Sequence, residues 1–121
     1  MSAHTAWSES FFAAVDSMDA RRFAEKFAED GSFTFANHAP AVGRAAVAAQ
    51  AQFVFDLITR IQHQQSHAWS EGNFQLNEGR AVYFRKDGKV IELPYFSVAE
   101  MEGGLVKKYR AYVDAAPLLA A

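Results

Sequence analysis

The sequence contains no cysteine, which excludes disulfide bonds, thiolate catalysis and cysteine-ligated zinc. It also lacks an excess of basic residues, since the net charge is -2 and the pI is about 6.0. Nucleic acid is therefore not expected as a partner. Residues 1–10 show no basic segment followed by an apolar run, and no apolar stretch approaches the ~20 residues that span a bilayer. We expect a cytoplasmic protein with no membrane partner.

Hydrophobic residues, by contrast, are abundant in the sequence. They make up 50% of the 121 residues, and 11 of them are phenylalanines. This composition is far from the polar, aromatic-poor composition of disordered chains. The length suits one core and is too short for two, so we expect a single domain over residues 1–121.

The first half of the chain predicts three helices. Thr5 and Asp19 are suitable N-caps for the first two, and Phe23 and Phe27 lie one turn apart on the second. The first helix carries an apolar stripe of Trp7, Phe11, Val15 and Met18. The third has the most regular spacing, four and three residues in turn, through Val47, Ala51, Val54, Ile58 and Ile61.

The second half predicts antiparallel strands. Short glycine-containing segments divide it at Glu71–Asn73, Glu78–Gly79, Asp87–Gly88 and Glu102–Gly104. Asp87–Gly88 favours a two-residue hairpin, because both positions tolerate a positive φ. Connections this short join only antiparallel neighbours. Helices followed by an antiparallel meander indicate an α+β fold.

Several loose motifs, in this order and spacing, resemble the NTF2-like superfamily and its SnoaL-like branch over about residues 6–118. They are Asp30-Gly31, Gly43-Arg44, Ile61-x-His63, Trp69-x-Glu71-Gly72-Asn73, Lys86-Asp87-Gly88, Leu93-Pro94 and Tyr109-Arg110-Ala111-Tyr112-Val113-Asp114-x-x-Pro117-Leu118. The resemblance implies a cone-shaped, curved antiparallel sheet backed by three N-terminal helices, with a pocket at the wide end. It also implies a homodimer formed through the outer face of the sheet.

The known catalytic sets of this superfamily are not found in the sequence. By resemblance, the tyrosine, base and oxyanion acid of ketosteroid isomerase fall at or near Phe11, Phe35 and Phe96, and a phenyl ring can neither take a proton nor donate a hydrogen bond. The acid that epoxide hydrolases and polyketide cyclases of this type place on the last strand is replaced by Ala111. Close to the base position, His38 is the one side chain that can act as a base at neutral pH.

Two strands carry further candidate residues. On the last strand, Tyr109, Ala111 and Val113 form the less charged face and are expected to line the pocket. On an earlier strand, His63, Gln65, His67 and Trp69 should share one face, which is either a polar stripe in the pocket or a dimer surface. Four residues along a strand span about 13 Å, so the two histidines are not expected to share a metal ion.

Two functions fit these observations. One is a cofactor-independent isomerase or cyclase that moves a proton on a small apolar molecule, with His38, His67 and Tyr109 as catalytic residues. The other is a non-catalytic, dimeric domain that binds a small molecule or acts as a scaffold. No metal or cofactor is expected. The predicted ligand-binding residues are Phe11, Phe35, Asn37, Trp69, Tyr95, Phe96 and Ala111.

Overall fold

The computed structural model describes residues 5–120. Its helices are α1 (Ala6–Asp16), α2 (Ala20–Ala24), α3 (Arg44–Phe55) and α4 (Ala116–Leu119). Its strands are β1 (Phe27–Phe35), β2 (Ala41–Val42), β3 (Ile58–Glu71), β4 (Phe74–Arg85), β5 (Val90–Glu102) and β6 (Leu105–Val113). No helix within residues 5–120 is long and apolar enough to cross a membrane.

The six strands form one curved, unclosed sheet in the order β2-β1-β6-β5-β4-β3. Strands β3 to β6 are a continuous antiparallel meander. Strand β1 pairs with β6 in parallel, so the predicted all-antiparallel sheet is wrong at this one pair. Helix α1 packs on β3, and α3 packs on β1 and α2. The α+β fold with three N-terminal helices against a curved sheet is confirmed.

The first two helices begin where the sequence predicts. The Thr5 side chain accepts a hydrogen bond from the backbone N–H of Ser8, and the Ser8 side chain accepts one from Thr5 in return. This reciprocal capping box satisfies two backbone donors that a helix start otherwise leaves unpaired. Asp19 caps α2 in the simpler way, through the backbone N–H of Arg22.

Two of the predicted helices are too long. Helix α2 ends at Ala24, and Phe27 opens β1. Helix α3 ends at Phe55, and Ile58 and Ile61 belong to β3. Both isoleucines are buried although an odd spacing in a strand normally gives opposite faces, because the β3–β4 register shifts between Ile58 and Arg60. The bulge therefore imitates a helical spacing in the sequence.

The sequence predicts a turn at Glu78–Gly79, but the two residues lie in the middle of β4. Gly79 is needed there because β3 comes very close: a Cβ built on Gly79 would lie 2.2 Å from the backbone oxygen of Gln64. In the same way Gly31 lies within β1, where its missing side chain makes room for the backbone oxygen of Val106. Both glycines therefore mark places where two backbone segments approach closely, and neither marks a turn.

The alanine-rich composition of residues 115–121 predicts a frayed end. Within residues 115–120 this prediction is wrong, because the segment is attached to the core. Leu118 on α4 is only 1% exposed and belongs to the hydrophobic core. Arg85 donates a hydrogen bond to the Leu118 backbone oxygen and another to that of Ala120. Asp87 holds the same guanidinium at 2.8 Å. This link joins the end of the chain to the β4–β5 hairpin.

Candidate functional site

An aromatic cavity lies between the concave face of the sheet and helices α1, α2 and α3. Its free volume is about 60 Å³. Among the described residues, no lysine or arginine lines it. The lining residues are Phe12, Val15, Phe23, Phe33, Phe35, Ala51, Val54, Phe55, Ile61, His63, Ala81, Tyr83, Tyr95, Tyr109, Ala111 and Val113.

Four of the predicted site residues meet in this cavity: Phe35, Tyr95, Tyr109 and Ala111. Strand register explains why they come together. Phe35 on β1 is the neighbour of Ala111 on β6, and Tyr95 on β5 is the neighbour of Val113. The less charged face of the last strand therefore does face inward, as its sequence predicts.

Three other predicted residues lie near the cavity without lining it. Phe11 is completely buried beneath Tyr109, at 4.7 Å between ring centroids. His38 follows β1, with its ring 5.6 Å from that of Phe35 and its Nδ1 3.5 Å from Nε2 of Gln50. Asn37 is exposed in a separate groove beside α4. His38, the predicted base, therefore lies outside the cavity.

The predicted residues His67, Trp69 and Phe96 lie on the opposite, outer face of the sheet. The rings of His67 and Trp69 stack at 5.5 Å, and Trp69 approaches Phe96 at 6.2 Å. The His67 side chain is 49% exposed and pairs with Glu78. His67 therefore stands outside the cavity that the sequence-based proposal assigned to it.

A β-bulge separates the two histidines of β3. The β3–β4 register shifts between Gln65 and His67, leaving Ser66 as an extra residue. The inward and outward alternation of side chains reverses at such a point. His63 consequently faces the cavity, whereas His67 faces outward, so the row predicted to share one face is split.

His63 is the functional candidate that the sequence-based assignment missed. Its Nδ1 lies 2.6 Å from Oδ1 of Asp16, and its backbone N–H donates to Oδ2 of the same carboxylate at 3.1 Å. The His63 side chain is 11% exposed and that of Asp16 is 31% exposed. A sequence signal existed for Asp16, since it follows Ser8 and Phe12 at four-residue steps along the buried face of α1.

Three tyrosines bring further polar groups to the same cavity. Burial raises the pKa of Tyr83, Tyr95 and Tyr109. The Asp16 carboxylate raises the pKa of Tyr83 and Tyr95 further, and the Tyr109 hydroxyl adds to the effect on Tyr95. The hydroxyls are therefore neutral hydrogen-bond donors at physiological pH. That of Tyr95 is buried and has no hydrogen-bond partner within residues 5–120.

No metal-binding cluster accompanies these groups. Within residues 5–120, no three histidine, aspartate or glutamate side chains gather closely enough to hold an ion. The arrangement instead offers an imidazole held by a carboxylate, with phenolic donors, in an apolar enclosure. Such groups can accept a proton from a bound molecule and hydrogen-bond its oxygen atoms.

The sequence profile of the SnoaL-like domain matches residues 8–109. The chain belongs to the SnoaL-like family. No protein of curated function matches the chain closely enough to count as a relative. The family assignment therefore comes without a specific activity attached.

Solved structures of the same fold agree with this assignment. A protein from Catenulispora acidiphila with a ketosteroid isomerase-like fold, in complex with trimethylamine, has 18% identity and a TM-score of 0.84, over 93% of this chain and 88% of its own. A protein named as a SnoaL-like polyketide cyclase, from Jannaschia, has 14% identity and a TM-score of 0.80, over 93% and 86%. An NTF2-like protein of unknown function from Burkholderia pseudomallei has 17% identity and a TM-score of 0.85 over both full chains. At these identities the likeness concerns the fold alone.

Proposed function

We propose that this SnoaL-like domain binds a small apolar substrate in the aromatic cavity and moves a proton on it without a cofactor, as an isomerase or cyclase does. The observation that carries the proposal is the Asp16–His63 pair, with 2.6 Å between Oδ1 and Nδ1, at the edge of that cavity. His63 takes the role of base that the sequence assigned to His38 and His67. Tyr109 keeps its predicted role as a polar group in the cavity.

The geometry gives each group a distinct task. An ionised carboxylate only accepts hydrogen bonds, so the Nδ1 of His63 carries the hydrogen and Nε2 is the basic atom. Within residues 5–120 the imidazole makes no other hydrogen bond. Asp16 orients the ring and stabilises its cationic form once Nε2 has taken a proton.

The tyrosine hydroxyls complete the proposed chemistry. When a proton leaves the carbon next to a carbonyl group, negative charge develops on the carbonyl oxygen. A neutral Tyr95 or Tyr109 hydroxyl donates a hydrogen bond to that oxygen, and the apolar walls strengthen the interaction. The proton returns from His63 to a second carbon or to the same one, so the cycle needs no external reagent.

Exchange of the α-hydrogens of cyclohexanone for deuterium in heavy water tests this proposal without knowledge of the natural substrate. We expect the domain to accelerate exchange, followed by NMR, and expect H63Q to reduce the acceleration about 10²–10⁴-fold. D16N should reduce it as well. The matched control is H67Q, because His67 lies on the outer face and should be dispensable. Equal rates for H63Q and the unaltered domain would contradict the assignment.

A non-catalytic binding function is the second candidate, and one observation favours it. Eight phenylalanine and tyrosine rings line the cavity, and the Asp16 carboxylate lies beside it. No lining side chain in the described part of the chain is a lysine or arginine. Aromatic faces and a nearby carboxylate attract small alkylammonium ions, and trimethylamine is bound by the similar protein from Catenulispora acidiphila. Choline binding more tightly than its uncharged analogue 3,3-dimethyl-1-butanol would support this candidate.

A homodimer through the outer face of the sheet is also part of the proposal. Trp69 and Phe96 lie together on that face, and Tyr112 is 54% exposed there. Aromatic side chains of this kind are enriched at interfaces. Light scattering should give about twice the chain mass of 13.4 kDa at micromolar concentration, whereas the monomer mass would contradict the dimer. The cytoplasmic location stays a prediction.

A further inference from the structure

Two polar side chains are buried where apolar ones would be expected. Asn77 on β4 is 1% exposed and Ser97 on β5 is 0% exposed. They are direct partners in the β4–β5 register, so they lie side by side on the concave face. The amide of Asn77 has no hydrogen-bond partner within residues 5–120, and the hydroxyl of Ser97 has none there apart from a contact with the Tyr109 hydroxyl. Buried polar groups are nearly always paired, so this pair calls for an explanation.

The pair lies directly behind the wall of the aromatic cavity, and neither residue lines the cavity itself. Ser97 is the register partner of Ala111, whose small side chain lines the cavity. Tyr95 lies two residues before Ser97 on the same face, and its hydroxyl is likewise buried without a partner in the described chain. The Ser97 hydroxyl is also close enough to that of Tyr109 to offset part of the rise that burial causes in the tyrosine pKa. These buried polar groups thus gather at one side of the cavity.

We propose that Asn77 and Ser97 form a polar subsite that binds a neutral oxygen-bearing group of the ligand, a hydroxyl or a carbonyl. The inference deepens the proposed function, on which it rests, by naming the chemical class that the cavity selects. An amide offers both a donor and an acceptor, and a hydroxyl offers either, so together they can satisfy an oxygen that both donates and accepts. A neutral oxygen is favoured over an anionic one, because the Asp16 carboxylate is nearby and no cationic side chain among the described residues lines the cavity.

This arrangement also gives the ligand an orientation. The Asp16–His63 pair and the Asn77–Ser97 pair lie on different strands, β3 for His63 and the β4–β5 ladder for the second pair. The two pairs also lie at different heights along the strands, because His63 is the register partner of Ala81 whereas Asn77 is the register partner of Ala68. An oxygen held at the polar subsite therefore leaves the apolar part of the ligand between the rings and near His63.

Phenol and toluene are the matched probes for this subsite, because they differ only by a hydroxyl in place of a methyl group. Binding is measured by NMR titration of the complete domain. We expect the unaltered domain to bind phenol about tenfold more tightly than toluene. N77L and S97A should each lose most of that preference, keep the affinity for toluene, and keep or raise the unfolding temperature. The control is S66A, an exposed serine at the bulge on the outer face.

The outcomes separate this inference from the proposed function. An unchanged preference for phenol in both variants, no preference in the unaltered domain, or an equal loss of phenol and toluene binding would overturn the polar subsite. H63Q should reduce the acceleration of deuterium exchange about 10²–10⁴-fold and still prefer phenol. A preference for phenol that depends on Asn77 and Ser97, without any exchange activity, would support the subsite and contradict the proton-transfer function.

Discussion

Asp16 holds His63 through both of its carboxylate oxygens, at 2.6 Å from the ring Nδ1 and 3.1 Å from the backbone nitrogen. Asp16 is the last residue of α1, where the partial negative charge of the helix end disfavours a carboxylate. The two hydrogen bonds to β3 offset this cost and fix the ring beside the cavity. A residue that opposes a local preference in this way is expected at a functional site.

Removing this carboxylate should destabilise the fold. We expect D16A to lower the free energy of unfolding by about 1.5–3 kcal/mol, because hydrogen bonds to a charged group are lost and the His63 ring is left partly buried. Urea denaturation measures the change. D56A is the control: Asp56 directly follows α3 and accepts a hydrogen bond from exposed Gln52, so its removal should cost under 1 kcal/mol. Equal losses would show that the Asp16–His63 contact contributes nothing specific.

The same contact predicts the protonation pattern of the His63 ring. Since the carboxylate accepts, the neutral ring should carry its hydrogen on Nδ1 and leave Nε2 unprotonated. Long-range nitrogen–hydrogen NMR spectra distinguish the two tautomers. His67 in the same spectra provides an exposed comparison. A ring protonated on Nε2 alone would leave no basic atom facing the cavity and would remove the proposed base.

The sequence predicts which side chains face the cavity best where the alternation of inward and outward side chains along a strand is undisturbed. Tyr109 and Ala111 were expected to face the pocket, and they do, because β6 keeps a regular pattern through this region. The same rule failed on β3, where His63 and His67 were placed on one face. A single bulge changes the parity of every later residue, and no residue type in this segment identifies it.

The site was only partly predictable for a related reason. The Asp16–His63 pair joins residues 47 positions apart, and its formation depends on how α1 crosses β3. An error of one residue in a position assigned by resemblance also misplaces the side chain, because neighbouring residues of a strand face opposite sides of the sheet. Phe96 was predicted to bind ligand, yet its neighbours Tyr95 and Ser97 face inward. One step along a strand exchanges the cavity for the outer surface.

The raised pKa values of the cavity tyrosines predict loss of stability in strong base. In the unfolded chain tyrosine ionises near pH 10, whereas in the folded domain Tyr83, Tyr95 and Tyr109 ionise at a higher pH. The contribution of these tyrosines to the free energy of unfolding is therefore complete below about pH 10 and is lost as the pH rises further. Unfolding by urea at stepwise higher pH measures the slope.

We expect Y95F to flatten this slope, because one of the raised tyrosines is removed. At neutral pH the same change should be neutral or stabilising, since it deletes a buried hydroxyl without a partner in the described chain. Y112F is the control because Tyr112 is exposed. A slope that falls equally in both variants would contradict a specific role of the buried tyrosine.

Ala36 adopts a left-handed conformation that favours glycine, with φ of 51° directly after β1. A side chain in this conformation costs about 1–2 kcal/mol, and the greater freedom of glycine in the unfolded chain cancels about half of the gain. A36G should therefore raise the free energy of unfolding by about 0.5 kcal/mol. A13G, at an exposed position inside α1, should lower it by about 1 kcal/mol. Denaturant titration of both variants should give opposite signs, and a loss in A36G would contradict the reasoning.

Gly79 permits the close approach of β3 that accompanies the bulge, so its replacement should be among the most damaging single changes. In G79A the added carbon would lie 2.2 Å from the oxygen of Gln64 and 2.8 Å from Cα of Gln65, both backbone atoms that move only with the strand. We expect a loss of about 3 kcal/mol in the free energy of unfolding, with faster amide exchange along β3. G72A adds the same carbon in a left-handed turn with open space around it, and should cost only about 1 kcal/mol. If the two losses were equal, the tight β3–β4 contact opposite Gln65 would not constrain the bulge that turns His67 away from the cavity.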